Sequence, residues 1–476
     1  MNQDQIERNL QVFLDPPCRV RDDEWLYVRH GISGDASASD GNRKKPRFTI
    51  HSFTRKALPQ YFICLLAAAF GQRRGKVRKV LYLNDGLLSC IFDSGKTKAY
   101  RAYAGKHLSP KSGILRRFAA HLPPMFYAER RFVAIDNSPE LLPGTQDNIP
   151  GQFDFMFFSN SLGKLIMTNM ETFVSGRGLL LKTSATPEYV RNLEKEYEIV
   201  KSTKKLHLRP GHLPESKERI NANGRLFFSE DYMFGENLRK KLLALGRAKS
   251  RGIAILLLDS LDNWFMEWHS AFAGERCLIS SLYKPALHTF GNIYAENPVA
   301  LSLSDHLEKY LEELDGEHEG LVPVIAHNDL WPGNFILGKE QLTAVDWERA
   351  TEQAAPLFDY YWMIISAVLA YREGCNNVEN TSVAFRQFLD QSDEVCGLAH
   401  KKLKSFISRL GFDEDQHHQF MLLFLMEWSI QGSLAFGKPT DNDRLAFAEM
   451  TAYFKEHQDE FHVDMSCADE CRLQRP

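Results

Sequence analysis

Val324–Trp347, VIAHNDLWPGNFILGKEQLTAVDW, is the stretch whose reading decides the fold. Val324 to Ala326 form a short apolar run that ends on His327, Asn328 and Asp329. Four residues then intervene before Asn334. Two further apolar runs, Phe335 to Leu337 and Leu342 to Val345, are joined by a turn at Gly338 and closed by Asp346. Apolar runs of this length around a Gly turn predict a β-hairpin. The loop before it brings three polar groups to one end.

An acid, an amide five positions on and a second acid one hairpin further match the spacing of a kinase catalytic loop. Phosphoryl transfer needs those residue types there. One carboxylate orients the attacking hydroxyl and accepts its proton, the role assigned to Asp329. An amide oxygen and a second carboxylate hold magnesium against a triphosphate, because hard cations take oxygen ligands; these are Asn334 and Asp346. Manganese would satisfy the same ligands. A polar turn ahead of an ordinary hairpin would need none of this.

HNDLWPGN (327–334), AVDWERA (344–350) and PLFDYYW (356–362) together resemble the aminoglycoside phosphotransferase and choline kinase family of small-molecule kinases. The HND and DWE triplets lean toward its choline kinase-like members. The resemblance covers about residues 151–370. It implies that Asp359 braces the catalytic loop, with His327 as a structural support. Protein kinases place Phe and Gly after the metal-binding acid and then a long regulatory segment. Here Trp347 and Glu348 follow Asp346, and Asp359 is reached within thirteen residues. That leaves no room for an activation loop, so a small hydroxyl compound is expected as acceptor rather than a polypeptide.

Phe153 to Phe158 and Lys164 to Met167 predict strand, turn, strand; in a kinase fold the turn, with Gly163, lies over the ATP phosphates. Leu179 to Leu181 lead into Lys182, an apolar strand ending in one lysine, the expected phosphate ligand. Pro187 behind Thr186 starts a helix whose inner face is Val190, Leu193, Tyr197 and Val200. The lysine's partner is expected on that helix. The family pattern favours Glu196, with Glu194 and Glu198 within one turn of it. Leu226 to Phe228 form another strand leading through Tyr232 and Met233 to Gly235, which the family uses as a hinge beside adenine.

Beyond Gly235 the periodicity becomes helical. Leu238, Leu242 and Leu245 share one face; Ile253, Leu257, Leu261, Trp264 and Trp268 form a stripe ending at His269, read as a core histidine. Ser304 is expected to cap a helix ending at Gly316. Tyr360 to Tyr371 is apolar nearly all round, as a buried helix would be. Further helices are expected around 403–410, 420–430 and 445–454. His417 and His418 read as a solvated helix start. Trp331, Trp347, Tyr360, Tyr361, Trp362 and Trp428 suggest either core or a cage for a quaternary ammonium group.

The 476 residues are 44% hydrophobic and 25% charged, ordinary for a globular protein of two or three domains. The polar start MNQDQIERNL has no apolar signal region, and the longest early apolar run, Tyr61 to Phe70, is too short to span a membrane. A cytoplasmic location without a transmembrane segment is therefore expected. Eight cysteines lie mostly singly, without zinc-site spacing, and predict reduced thiols. Residues 1–150 hold 24 Lys or Arg against 14 Asp or Glu, and the remainder 34 against 47. The basic clusters Arg43–Arg47, Arg73–Lys79, Arg116–Arg117 and Arg130–Arg131 suggest an anionic polymer or lipid headgroup as partner, or only a solvated face. Lys79 to Leu83 and Leu87 to Phe92 read as a hairpin, and Asn137 to Gly151 as a linker.

The expected architecture is α+β: a basic mixed α/β domain (1–150), then a bilobal protein-kinase-like fold with a β-rich N-lobe (151–235) and a helical C-lobe (236–476) carrying the loop 325–347. The expected activity is transfer of the ATP γ-phosphoryl, with magnesium, to an alcohol on a small molecule or sugar. The alternative is a catalytically inactive kinase fold serving as a scaffold.

Overall fold

In the computed structural model the described residues are the segments 26–30, 48–54, 76–84, 88–93, 130–136, 155–159 and 164–168, and then 178–457 apart from 185–186, 207, 209–210, 223–224, 273–274, 340 and 379; side chains are described from 164 onward, except at 187–188, 222, 225 and 435–436. The architecture is α+β. The chain divides into two units, Met1–Tyr197 with Glu215–Met233, and Glu198–Pro214 with Phe234–Pro476.

The first unit is built on one sheet. Its strands are β1 (Leu26–His30), β2 (Phe48–Thr54), β3 (Lys76–Asn84), β4 (Leu88–Asp93), β5 (Arg130–Asp136), β6 (Phe155–Ser159), β7 (Lys164–Thr168), β8 (Leu179–Ser184), β9 (Ser216–Ala222) and β10 (Arg225–Asp231). They pair in the order β1-β2-β5-β3-β4-β6-β7-β8-β10-β9. β1 and β2 are parallel; β3 and β4 form an antiparallel pair with Asn84 opposite Ser89. Leu165, Met167, Leu181 and Phe227 are buried, as expected of short runs rich in apolar and β-branched residues. The sheet joins strands on both sides of the domain boundary expected at residue 150. That boundary, the linker 137–151, the apolar run 61–70 and Gly163 lie outside the described residues, as do the side chains of the basic clusters.

The second unit is mainly helical. After α1 (Pro187–Ser202), in which the division between units falls, come α2 (Leu238–Arg247), α3 (Arg251–Ser270), α4 (Ile279–Ile293), α5 (Pro298–Glu317), α6 (Leu357–Asn376), α7 (Thr381–Leu389), α8 (Glu394–Leu410), α9 (His417–Phe436) and α10 (Asp441–Glu456). Two small sheets carry the loops: β11 (Glu236–Asn237) pairs with β13 (Phe335–Leu337), which pairs with β14 (Leu342–Ala344), and β12 (Val324–Ala326) pairs with β15 (Thr351–Ala354). α6 is apolar almost all round and buries Tyr360, Tyr361, Met363, Ile364 and Ile365 completely. Its far end crosses α2 at a glycine contact. A Cβ on Gly374 would lie 2.3 Å from the Leu243 carbonyl oxygen, and one on Gly246 2.1 Å from that of Tyr371. Only residues without side chains allow this approach.

Three expectations change. α5 starts six residues before Ser304: Asn297 accepts from the backbone N–H groups of Val299 and Ala300, and Pro298 takes the first helical position, where its missing N–H costs nothing. Ile253 is 48% exposed, so the α3 stripe begins with Ala254 and Leu257. His417 is buried at 2% exposure. The preceding single turn, capped by Asp413, swings the start of α9 inward, and the Tyr361 hydroxyl and His417 Nδ1 lie 3.3 Å apart. Among the described residues no helix is long and apolar enough to cross a membrane. Cys277, Cys375 and Cys396 are free thiols.

Candidate functional site

In the first unit a charged cluster follows from strand register. Opposed residues on antiparallel strands share a face, as do residues two apart along one strand. Lys182 on β8 opposes Ile166 on β7 and Phe228 on β10. Lys164 and Glu230, each two positions along, therefore stand on the same face as Lys182. Glu196 reaches this face from α1. Lys182 Nζ lies 2.7 Å from Glu196 Oε1 and 2.7 Å from Glu230 Oε1, and Lys164 Nζ lies 3.5 Å from Glu196 Oε2. The order Lys164, Glu196, Lys182, Glu230 alternates sign, and all four residues are buried. Burial pushes the Glu230 carboxyl above the ordinary carboxylate range, against the pull of Lys182 and with a further push from Glu196.

The other two candidate glutamates are placed differently. Glu194 pairs with Arg219 at 2.6 Å, and Glu198 is exposed. Tyr232 and Met233 are half-buried in the extended segment after β10, where the Tyr232 N–H donates to the Gly178 carbonyl at 2.9 Å.

In the second unit the loop after β12 is held through its main chain. Asp359, in the first turn of α6 and 1% exposed, accepts the backbone N–H of His327 through Oδ2 and that of Asn328 through Oδ1, the latter at 2.9 Å. Burial lifts its carboxyl to about 7, against the pull of those two N–H groups. Asn328 takes a left-handed backbone conformation with φ 59°, and Asp346 takes another at φ 72°. Asn and Asp are the non-glycine residues that tolerate this region best. The Asn328 side chain donates to the Arg349 carbonyl at 3.0 Å and the Thr351 hydroxyl at 2.9 Å, tying the loop to the segment after Asp346.

Asp329 and Asn334 meet. Asn334 Nδ2 donates to the main-chain oxygen of Asp329 at 2.9 Å and to its carboxylate at 3.2 Å. This arrangement turns the Asn334 carbonyl oxygen, a hard donor, away from Asp329. The Val345 N–H donates to the Asn334 main-chain oxygen at 2.9 Å, which places Asp346 one residue beyond that contact. Carboxylate oxygens of Asp346 and Glu348 lie within 4.8 Å of one another. Asn237 caps α2 and donates to the Gly333 carbonyl at 2.6 Å, fixing the turn before Asn334.

Asp329 keeps 31% of its side chain exposed, enough for a substrate to reach it. Its carboxyl is lifted to about 7, mainly by burial, with Asp346 and Glu348 pushing it up and Arg349 and Asn334 pulling it down. Arg349 Nη1 stands 3.9 Å from its Oδ1.

Beneath the loop lies an aromatic column. The His327 ring sits 4.5 Å from Trp347, Trp347 5.0 Å from Trp268, and Trp268 6.0 Å from Trp264, centre to centre. His327 Nε2 and the Val345 carbonyl are 3.0 Å apart. Trp347, Tyr360, Tyr361 and Trp428 are almost fully buried core. Of the six aromatic residues that suggested a cage, Trp362 and Trp428 together line a cavity of about 220 Å³, with Phe358, Asn328, Asp329, Arg349 and Asp443. Trp331 instead carries the Arg239 guanidinium over its ring at 5.9 Å.

Glu348, Arg349, Lys164 and Glu230 were not singled out from the sequence. Glu348 and Arg349 could have been found from their adjacency to Asp346. Lys164 and Glu230 carried no signal, because only strand pairing puts them beside Lys182.

No protein-family model and no curated protein sequence matches the chain. Comparison with solved structures matches aminoglycoside phosphotransferases and choline kinases. The ADP-bound aminoglycoside phosphotransferase APH(2'')-Ib is 12% identical, covering 66% of this chain and 93% of its own, with a TM-score of 0.35. A choline/ethanolamine kinase family protein from Mesorhizobium loti is 15% identical over 68% of this chain and 94% of its own, TM-score 0.34. Choline kinase from Cryptosporidium parvum Iowa II is 11% identical over 69% and 90%, TM-score 0.35. Similarities this low carry no assignment by themselves.

Proposed function

We propose that the chain is a small-molecule phosphotransferase of kinase-like fold that moves the γ-phosphoryl group of ATP to an alcohol. The observation that carries this reading is the loop itself. Asp329 is buttressed by Asn334, the backbone of the two residues before it is clamped by Asp359, and its carboxylate opens on a cavity with aromatic walls. A base needs to be fixed in place, reachable, and poised near neutral pH, and Asp329 meets all three requirements.

In the proposed reaction Asp329 accepts a hydrogen bond from the acceptor hydroxyl and aligns its oxygen with the γ-phosphorus. The new O–P bond forms as the bond to the β-bridging oxygen breaks, and the hydroxyl proton passes to Asp329. Lys182, set by Glu196, binds phosphate oxygens of the nucleotide. The oxygen donors Asn334, Asp346 and Glu348 suit magnesium, which when bound neutralises phosphate charge. Tyr232 and Met233 flank the nucleotide base through their main chain. The cavity limits the acceptor to a small hydroxyl compound; its mix of indole faces and carboxylates favours one carrying a positive charge.

The test is ADP release by the full chain with Mg-ATP, screened over amino alcohols, sugars and aminosugars. Stimulation by one of these classes that is lost in Asp329→Asn supports the reading. Absence of nucleotide binding, with or without magnesium in a thermal shift, overturns it.

A further inference from the structure

The charged cluster of the first unit contains more than a lysine and its helix glutamate. An ammonium group has three N–H donors. Two of those on Lys182 face carboxylates at 2.7 Å, one on Glu196 and one on Glu230. A phosphate group arriving at Lys182 therefore competes with carboxylates already seated on its ammonium group.

The two glutamates are not equivalent. Glu196 is held at both oxygens, Oε1 by Lys182 and Oε2 by Lys164. Glu230 stands at the end of the alternating row, and Lys182 is the nearer of the two lysines that act on it. Burial also makes its charged form costly, which raises its carboxyl above the ordinary range. Losing the pair to Lys182 leaves Glu196 anchored through Lys164, whereas Glu230 has no second ion pair among the described contacts.

We infer that Glu230 is a second positioning residue for Lys182, competing with nucleotide phosphate for the same ammonium group and lowering nucleotide affinity, while Glu196 is the partner that stays. This rests on the proposed role of Lys182 as phosphate ligand. Glu230 keeps the lysine charged and seated on the sheet face, and its withdrawal frees a donor for phosphate. Opposite effects of the two glutamates follow, which a uniform structural role would not produce.

The experiment titrates Mg-ADP and Mg-ATP into the full-length wild type, Glu230→Gln, Glu230→Asp and Glu196→Gln, with a thermal melt of each variant. Glu230→Gln keeps an acceptor of the same shape and removes the competing charge, so its Kd should fall about tenfold, equivalent to about 1.4 kcal/mol. Glu230→Asp, which keeps the charge but shortens the reach, should fall between wild type and Gln. Glu196→Gln should weaken binding. In turnover, Glu230→Gln should lower the KM for ATP rather than raise it. Wild type binding nucleotide while a folded Glu230→Gln binds equally or more weakly would overturn the competition and leave the kinase reading intact. If Glu230→Gln fails to fold, Glu230→Asp decides by the sign of its Kd change. Wild type binding no nucleotide would overturn both.

Discussion

Lys182 and the Asp329 loop are held in opposite ways. Lys182 stands in a row of four buried side-chain charges drawn from three strands and a helix. The Asp329 loop is held by its main chain: Asp359 takes two backbone N–H groups, and Asn334 donates to a backbone oxygen as well as to the carboxylate. Backbone hydrogen bonds to a buried acceptor fix a loop in one shape, because their loss strands polar groups away from water. A row of ion pairs can exchange partners without stranding anything, provided a new anion arrives. On the proposed reading the loop is the rigid contributor and the lysine the adjustable one.

The largest expected effect removes the function of the rigid half without disturbing its shape. Asp329→Asn should lower kcat on the order of 10²–10⁴-fold, the usual worth of a positioned base, with the melting temperature and nucleotide Kd near wild type. A loss below tenfold would show that Asp329 only lines the cavity.

Next, Asp359→Ala leaves the N–H groups of His327 and Asn328 without their acceptor in a dry site. The expected cost is about 3 kcal/mol in denaturant unfolding, together with lost turnover. Unchanged unfolding would break the contrast, since the loop would then owe its shape to the aromatic column beneath it.

Smaller again is Gly374→Ala, where a methyl group meets the Leu243 carbonyl at 2.3 Å and must push α2 and α6 apart. About 1–3 kcal/mol of destabilisation is expected from overpacking, read as a lower unfolding midpoint. If turnover falls further than stability, α6 transmits the shift to Asp359.

A further effect depends on pH. Glu427 on α9 has a buried Oε2 without a hydrogen-bond partner, and its carboxyl is lifted to about 8 by burial, with Asp359 adding to the shift. A folded-state pKa above the ordinary 4.5 means the native protein holds this proton more tightly than the unfolded chain. Its contribution is complete below about 4.5 and is lost as pH rises through about 8. Glu427→Gln cannot ionise, so its melting temperature relative to wild type should climb between about pH 4.5 and 8 and level off above. A flat difference would show that Glu427 is not desolvated.

How legible these parts were follows their distance along the chain. The hairpin, the turn before Asn334 and the apolar helix beginning at Leu357 all lie between 324 and 376, and each was readable from spacing, Gly and Pro positions, and apolar runs. Asn328 and Asp346 also carry the residue types that left-handed backbone favours. The helix over 298–317 was read too late because an interior serine resembled a cap, while the true cap, Asn297, stood ahead of a proline. His417 looked solvated because its burial depends on Tyr361, more than fifty residues away.

The sequence by itself determined the identity and order of the groups that chemistry would need, since turn formation and local hydrogen bonding act over a few residues and leave their mark in spacing. Only the tertiary structure decided which glutamate meets Lys182, that Lys164 and Glu230 join it, and which aromatic rings are core and which line the cavity. Those outcomes depend on strand order and helix packing, which bring together residues 164–230 in the first unit and, separately, residues 328–443 in the second, that no local pattern links.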